Sequence, residues 1–314
     1  MLIESGSSLQ AFATCPKLYE FKYVKLLEPK SYSSALGFGT FIHAEVERAL
    51  GGRIDSTEVE FARLTQSKQD HAKQIAIDRL MAEDFFSLWK KRWQDQDGPF
   101  SNGRFEWLSA EKEWGFDVGK GFHHVGKSDA LAREKESGAI FLYELKTAAD
   151  RDREGYVHKL EIDRQVSSNM IAMRKAGIDV QGVLYDIVWK PGIRRLVGRK
   201  TKPDETPEEF AKRMVATAAE SLDDNFERRI VYRSDRFLGE HGKDLQLQFM
   251  AVEDAHARGF FRNTGACHDY GLCPFFSACI EQREELESLY ALKDRKLPEL
   301  SKEIQCKSTT PPTS

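Results

Sequence analysis

Over residues 7–27 the side chains Leu9, Phe12, Leu18, Phe21 and Val24 recur at roughly helical spacing, with Ser7 or Ser8 standing where an N-cap belongs. Residues 37–50 (GFGTFIHAEVERAL) read as a second helix entered through a glycine turn, with Thr40 as its candidate cap. Residues 57–93 predict a long helical stretch with at most one break. A cluster of turn residues at 95–104 ends it. The period then changes. Residues 104–118, 122–133 and 139–147 are aromatic and β-branched runs separated by Gly-Lys-Gly and Glu-Ser-Gly, which predicts three antiparallel strands joined by hairpins. A helix over 156–175 stops at Gly177. Residues 180–190 form a fourth strand, reached by a helical crossover and so able to pair parallel. Pro207 opens another helix to about Phe226, and one more is expected near 246–259. Residues 281–303 read as a charged, solvated helix, and the polar tail KSTTPPTS as disordered. The expected fold class is α/β, a central mixed four-stranded sheet flanked by helices.

A chain of 314 residues with 40% hydrophobic content can bury a sizeable core in one or two domains. Its net charge of −3 makes any basic surface a local feature. No apolar run is long enough for a membrane span, and the first residues lack the basic start and apolar core of a signal peptide. Five cysteines without a secretion signal favour a reducing, cytoplasmic setting and metal or redox use over disulfides. Cys15 stands alone near the start; Cys267, Cys273 and Cys279 follow in C-x5-C-x5-C spacing. Together they supply four thiolates, which suits an iron–sulfur cluster or structural zinc. His268 is a further candidate ligand for zinc, and Cys306, in the tail, reads as a bystander.

Glu-x-Lys occurs at Glu20/Lys22, Glu28/Lys30 and Glu144/Lys146, but only the last lies in a strongly apolar strand, AIFLYELKTA. On a strand, residues two apart share a face, so Glu144 and Lys146 project together. Asp129, in GKSDALA on the preceding strand, is brought beside Glu144 by a hairpin. Two close carboxylates are costly to bury unless a cation lies between them, and hard oxygen donors suit Mg2+ or Mn2+. Such a metal polarises a phosphoryl oxygen, with Lys146 serving the attacking water or the developing charge. The bland alternative is a surface salt bridge. His43 could equally be a core residue, and Gln165 a surface or capping residue. Lys190, Arg194, Arg195, Arg199, Lys200 and Lys202 form an acid-free basic segment that would attract DNA phosphates, or else a solvated loop.

The order His…GxxD…ExK…Gln between one cysteine and a cysteine triplet resembles the RecB-like branch of the PD-(D/E)XK nuclease superfamily in its iron–sulfur form, which includes AddB-type, CRISPR-adaptation and phage-encoded exonucleases. The matching stretches are SSLQAFATCPKLYEFKYV, GFGTFIHAEVERAL, GKSDALA, FLYELKTA, EIDRQ, GVLYDIVWKP and CHDYGLCPFFSAC. The resemblance implies a restriction-endonuclease-like core and metal ligation by His43, Asp129, Glu144 and the Leu145 carbonyl. It also implies catalytic roles for Asp129, Glu144, Lys146 and Gln165, and a [4Fe–4S] cluster held by Cys15, Cys267, Cys273 and Cys279. The implied division is an N-terminal arm (1–30), a nuclease core (31–260), a cysteine-rich segment (261–290) and a charged helix end with tail (291–314). Asn169 stands where the family often continues its glutamine motif with tyrosine, and the triplet spacing is wider than in some members. The expected function is a metal-dependent DNA exonuclease acting on ends or single strands in recombination, repair or phage DNA processing. A separate helicase or recombinase could deliver the substrate, since no Walker-type loop occurs. The rivals are a catalytically impaired DNA-binding or assembly module and a cluster-bearing redox sensor.

Overall fold

A computed structural model of the chain describes residues 1–94, 100–149, 152–198, 203–269, 271–280, 286–294, 296, 297 and 300. The chain begins with strand β1 (Leu2–Ser5), helix α1 (Gly6–Thr14) and a short α2 (Pro16–Tyr19) that runs into a π-turn at Glu20–Val24. Strand β2 (Leu27–Pro29) leads to three helices, α3 (Ser34–Ala49), α4 (Ser56–Ser67) and α5 (Ala72–Trp93). Strands β3 (Phe105–Gly119), β4 (Phe122–Glu134) and β5 (Ile140–Ala149) follow, then helices α6 (Arg153–Glu161) and α7 (Arg164–Lys175) and strand β6 (Val180–Lys190). Helices α8 (Pro207–Glu220) and α9 (Leu222–Asn225), strand β7 (Phe226–Tyr232) and the long helix α10 (Asp235–Arg258) complete the main body. The C-terminal arm holds α11 (Phe276–Cys279), α12 (Leu286–Leu289) and β8 (Tyr290–Leu292).

The caps differ from those expected. Ser5 caps α1: its Oγ accepts from the Ser8 N–H at 3.2 Å, and the Ser8 Oγ accepts from the Ser5 N–H at 2.8 Å. Ser33 caps α3, so Thr40 lies inside that helix. The helix expected over 156–175 is two helices, because Asp163 caps α7 through the N–H groups of Gln165 and Val166.

The main sheet has six strands, not the expected four. The two extra are β1, only four residues long, and β7, whose sequence FERRIVY hides its inward face behind a charge. Arg228 on β7 is buried against Asp186 on β6. Asp186 Oδ2 accepts from Arg228 Nε at 2.9 Å, Trp89 Nε1 at 2.8 Å and Tyr143 OH at 3.0 Å. Arg228 also donates to Phe100 O and Asn102 Oδ1. The charged helix expected over 281–303 is also corrected: among its described residues only Leu286–Leu289 are helical, and Tyr290–Leu292 pair as a strand with β2. The disordered tail and Cys306 lie outside the described residues.

Strand β4 organises the sheet. It pairs antiparallel with β3 along nearly all its length. Its other edge is divided: β1 pairs parallel with Phe122–Val125, and β5 pairs antiparallel with Ala130–Arg133. Gly126–Asp129 therefore lie on an edge between two neighbouring strands. β5 continues into parallel pairing with β6, reached through α6 and α7, and β6 pairs antiparallel with β7. One hydrophobic core packs α1, α7 and α10 on one face of the sheet, through Leu9, Met170 and Phe249. A second packs α3, α5 and α8 on the other, through Phe41, Trp89 and Met214. Among the described residues no helix is long and apolar enough to cross a membrane.

Removing one partner of a fully buried ion pair leaves the other charge unpaired. Asp186→Ala is expected to destabilise the protein by about 3–5 kcal/mol in urea unfolding, against less than about 1 kcal/mol for Arg133→Ala at the exposed Glu106 pair.

Candidate active site

Asp129 sits at the end of the divided edge of β4, one residue before its pairing with β5 begins at Ala130–Tyr143. Its Oδ2 accepts a 2.8 Å hydrogen bond from the Leu145 N–H and lies 3.4 Å from His43 Nδ1 on α3. A side chain thus takes a backbone donor just where the ladder stops. Continuing the antiparallel register by one residue sets Glu144 opposite Asp129, and the two-residue repeat of β5 brings Lys146 to the same face as Glu144. Lys146 Nζ donates to Glu144 Oε1 at 2.8 Å and to Gln165 Oε1 at 3.5 Å, and stands 3.6 Å from Asp163 Oδ2. The hairpin and the start of α7 therefore bring Asp129, Glu144, Lys146 and Gln165 together, with His43 reaching in from the opposite layer. Leu145 meets Asp129 through its N–H.

Burial is the largest influence on each charged group, and the neighbours decide the outcome. The Glu144 side chain is 3% exposed; burial and the nearby Asp129 carboxylate outweigh the Lys146 ammonium and push its carboxyl up to about 7. Burial also works against the Asp129 carboxylate, but the charge and hydrogen bond of His43, with the Leu145 N–H, hold it below the usual range. Burial opposes a charge on His43, and Asp129 overrides it upward. Burial likewise opposes the Lys146 ammonium, yet Glu144 and Asp163 raise it well above an ordinary lysine, so it remains a cation.

Asp163, Glu47 and Glu111 also belong to this neighbourhood and were not singled out from sequence. Asp163 is readable as a cap two residues before Gln165 once the helical stretch is broken there. Glu111 was not readable, because its place comes from a left-handed backbone (φ 45°) where β3 passes Asp129. It pairs with Lys127 at 2.6 Å. With His43, Glu47, Asp129 and Tyr143 it lines a cavity of about 10 Å3, roughly the room of one water-sized sphere.

A family model for the PD-(D/E)XK nuclease superfamily matches residues 5–279, a span that includes every one of the site residues above. The chain belongs to the PD-(D/E)XK nuclease superfamily. It is a hydrolytic nuclease by family. Two solved structures are distantly similar. A candidate exonuclease from Eubacterium rectale has 13% identity and a TM-score of 0.44, covering 86% of this chain and 88% of its own. SSO0001 has 12% identity and a TM-score of 0.30, covering 68% and 74%. Among curated proteins no sequence matches.

Elsewhere in this nuclease the two chain ends meet. β2 pairs with β8, Phe21 stacks on Phe275, and Phe275 stacks on Tyr290. Residues 262 and 263 bridge the cysteines: Asn263 N–H donates to Cys15 Sγ at 3.3 Å, and Arg262 Nε to Cys279 Sγ at 3.3 Å. Burial, with the charges of Cys267, Cys15 and Cys279, pushes the Cys273 thiol up. Cys15, Cys267, Cys273 and Cys279 form no disulfide, and among the described residues no group of three or more His, Cys, Asp or Glu is arranged to hold a metal ion. No cluster is therefore shown here, at the cysteines or at Asp129 and Glu144.

The basic segment is divided in space. Lys190 lies over the Phe38 ring, its ammonium lowered by burial with Asp78 in opposition, while Arg194 and Arg195 are exposed. The run is acid-free in sequence only: Glu205 feels the charge of Arg195 and pairs with Arg213 at 2.7 Å. Arg199, Lys200 and Lys202 lie outside the described residues.

Glu144 makes stability depend on pH in a definite direction. Its folded carboxyl holds a proton to about pH 7, whereas the unfolded one releases it near 4.5, so the folded state loses stability as pH rises between those values. Asp129, shifted down, adds stability that is lost only below about pH 4. In metal-free urea titrations, Glu144→Gln should gain about 3 kcal/mol relative to wild type between pH 4.5 and 8. Parallel pH profiles would contradict the burial of this acid.

Proposed function

We propose that this nuclease is a divalent-metal-dependent deoxyribonuclease that works as an exonuclease on DNA ends or single strands. The observation that supports this reading is the convergence of Asp129, Glu144 and Lys146 beside His43 and Gln165, on the edge of β4 left between β1 and β5. The exonuclease preference rests on the likeness of motif order to RecB-like enzymes.

By the chemistry of its donors the set of two carboxylates and an imidazole suits a hard divalent ion, which would take the place that the Lys146 ammonium holds on Glu144 and that His43 holds on Asp129. His43, Asp129 and Glu144 would hold Mg2+ or Mn2+. Such an ion polarises a phosphoryl oxygen and lowers the pKa of bound water. Lys146 contributes as a donor and positive charge, because Glu144 and Asp163 beside it favour its ammonium form. Asp163 and Gln165 fix where that ammonium stands. With its oxygen engaged by Lys146, Gln165 has its amide nitrogen left to donate to a phosphate oxygen.

Digestion of end-labelled single- and double-stranded DNA tests this directly. Wild type with Mg2+ or Mn2+ is expected to cleave linear DNA and spare closed circles, with EDTA abolishing activity. Glu144→Ala and Lys146→Ala should each lower the rate at least about a hundredfold. Retained binding without cleavage by wild type would favour the impaired-module reading instead.

We further propose that Cys15, Cys267, Cys273 and Cys279 hold a [4Fe–4S] cluster that pins the two arms together, with zinc as the alternative. The support is that Cys273 senses the other three thiols and that residues 262 and 263 tie Cys15 to Cys279. Anaerobically purified protein should be brown and contain iron and sulfide, and Cys273→Ser should lose both. Stoichiometric zinc in a colourless protein would replace the cluster; neither metal would end the proposal.

A further inference from the structure

Beside the catalytic residues lies a second cavity of about 140 Å3, room for four or five waters at about 30 Å3 each. Ser7 at the start of α1, Gln165 and Asn169 on α7, Trp114 on β3, and His124 and Asp129 on β4 line it. Its wall is chemically unusual. Both Asn169 Oδ1 and Nδ2, Trp114 Nε1 and His124 Nε2 have no hydrogen-bond partner among the described residues. Asn169 and His124 are fully buried and Trp114 is 7% exposed. Buried polar groups are nearly always satisfied, and an orphan costs about 1–3 kcal/mol. Four such atoms on three of the side chains that line one cavity point to a ligand with polar edges, met after a small rotation of those side chains.

The donors and acceptors can be assigned. His124 Nδ1 lies 2.9 Å from the Glu4 backbone oxygen, which only accepts, so Nδ1 carries the proton and Nε2 presents a lone pair. Burial keeps this imidazole neutral, its pKa pushed down to about 4. The Trp114 N–H is a donor, and the Asn169 amide is one acceptor and two donors. A phosphate brings acceptors alone and would face the lone pairs of His124 and Asn169. An apolar group would leave all four atoms unpaired. A nucleobase carries donors and acceptors side by side on a flat edge, which an asparagine amide can meet with two bonds. The Trp114 ring is held in place because Gly126, its partner across the ladder, has no Cβ; one there would lie 2.3 Å from the indole.

We propose that this cavity receives an unstacked nucleobase of the DNA strand next to the phosphate being cut, through Asn169, Trp114 and His124. The inference rests on the nuclease reading and adds what the enzyme requires of the adjoining nucleotide. A flipped or single-stranded base enters without breaking a duplex, so the pocket favours frayed ends and single strands.

Two measurements test it, one independent of cleavage. In the first, single-stranded oligonucleotides carrying one abasic nucleotide at successive positions are digested. Wild type should process the intact strand about tenfold or more better in kcat/KM when the abasic position adjoins the cut. In Asn169→Leu, close in shape but unable to pair, that ratio should fall to about one. Equal rates on intact and abasic strands, or full discrimination kept by a folded Asn169→Leu, would overturn the proposal. In the second, metal-free protein is titrated with deoxyadenosine, deoxycytidine, thymidine, deoxyguanosine, deoxyribose 5-phosphate and inorganic phosphate while tryptophan fluorescence is read. At least one nucleoside should quench, the base-free compounds should not, and Trp114→Phe should remove the signal. A response to phosphate alone, or to none of them, means an anion subsite or a water-filled cavity and refutes base recognition. Absent cleavage by wild type would sink the nuclease reading, and the binding experiment would still decide the pocket.

Discussion

Strand β4 commits one edge to β3 and divides the other between β1 and β5, and the arrangement of the site follows from that division. Where β1 ends and β5 has not begun, Gly126–Asp129 have, among the described residues, no strand on that side to complete the ladder. Backbone groups at such a place must find other partners, and Asp129 supplies one by accepting from the Leu145 N–H. The opening admits side chains from both layers: His43 from α3 on one side, Gln165 and Asp163 from the start of α7 on the other. Gly126 belongs to the same device, since its bare Cα leaves room for the Trp114 ring.

Two buried ion pairs in adjacent strands show how differently a fold can treat charge. Asp186 and Arg228 are fully enclosed, and Asp186 Oδ2 gathers Arg228, Trp89 and Tyr143 while Asp186 Oδ1 has no hydrogen-bond partner among the described residues, so the pair ties β6 and β7 to α5. Glu144 and Lys146 have fewer partners, and a second carboxylate at Asp129 keeps Glu144 poised between its two protonation states near neutrality. Groups with divided environments of this kind are where binding and catalysis concentrate. The divergence comes from the surroundings, for both pairs stand on strands of one sheet.

The convergence of Asp129 with Glu144 and Lys146 was legible because its parts are local. A hairpin brings Asp129 beside Glu144, and strand periodicity aligns Glu144 with Lys146. Asp163 was hidden by reading α6 and α7 as one helix, and Glu111 by a backbone turn that no local preference predicts. Strand β7 escaped notice because its inward Arg228 looks solvent-seeking until Asp186 is known to lie opposite. β1 and β8 are too short for periodicity to reveal. The basic run looked acid-free because Glu205 stands outside it in sequence and beside it in space.

The amino-acid order alone determined the helices α3 and α5, the hairpin strands β3 to β5, strand β6, and the shared face of Glu144 and Lys146 beside Asp129, since each depends on residues within a few turns or across one tight hairpin. Tertiary structure alone decided that β4 would be shared and that the two ends of the chain would meet through β2 and β8. It also decided that Asn169, Trp114 and His124, with polar atoms left unpaired among the described residues, would line one cavity with Asp129. Those outcomes join residues far apart along the chain. Their hydrogen bonds and desolvation are set by neighbours that no local pattern names.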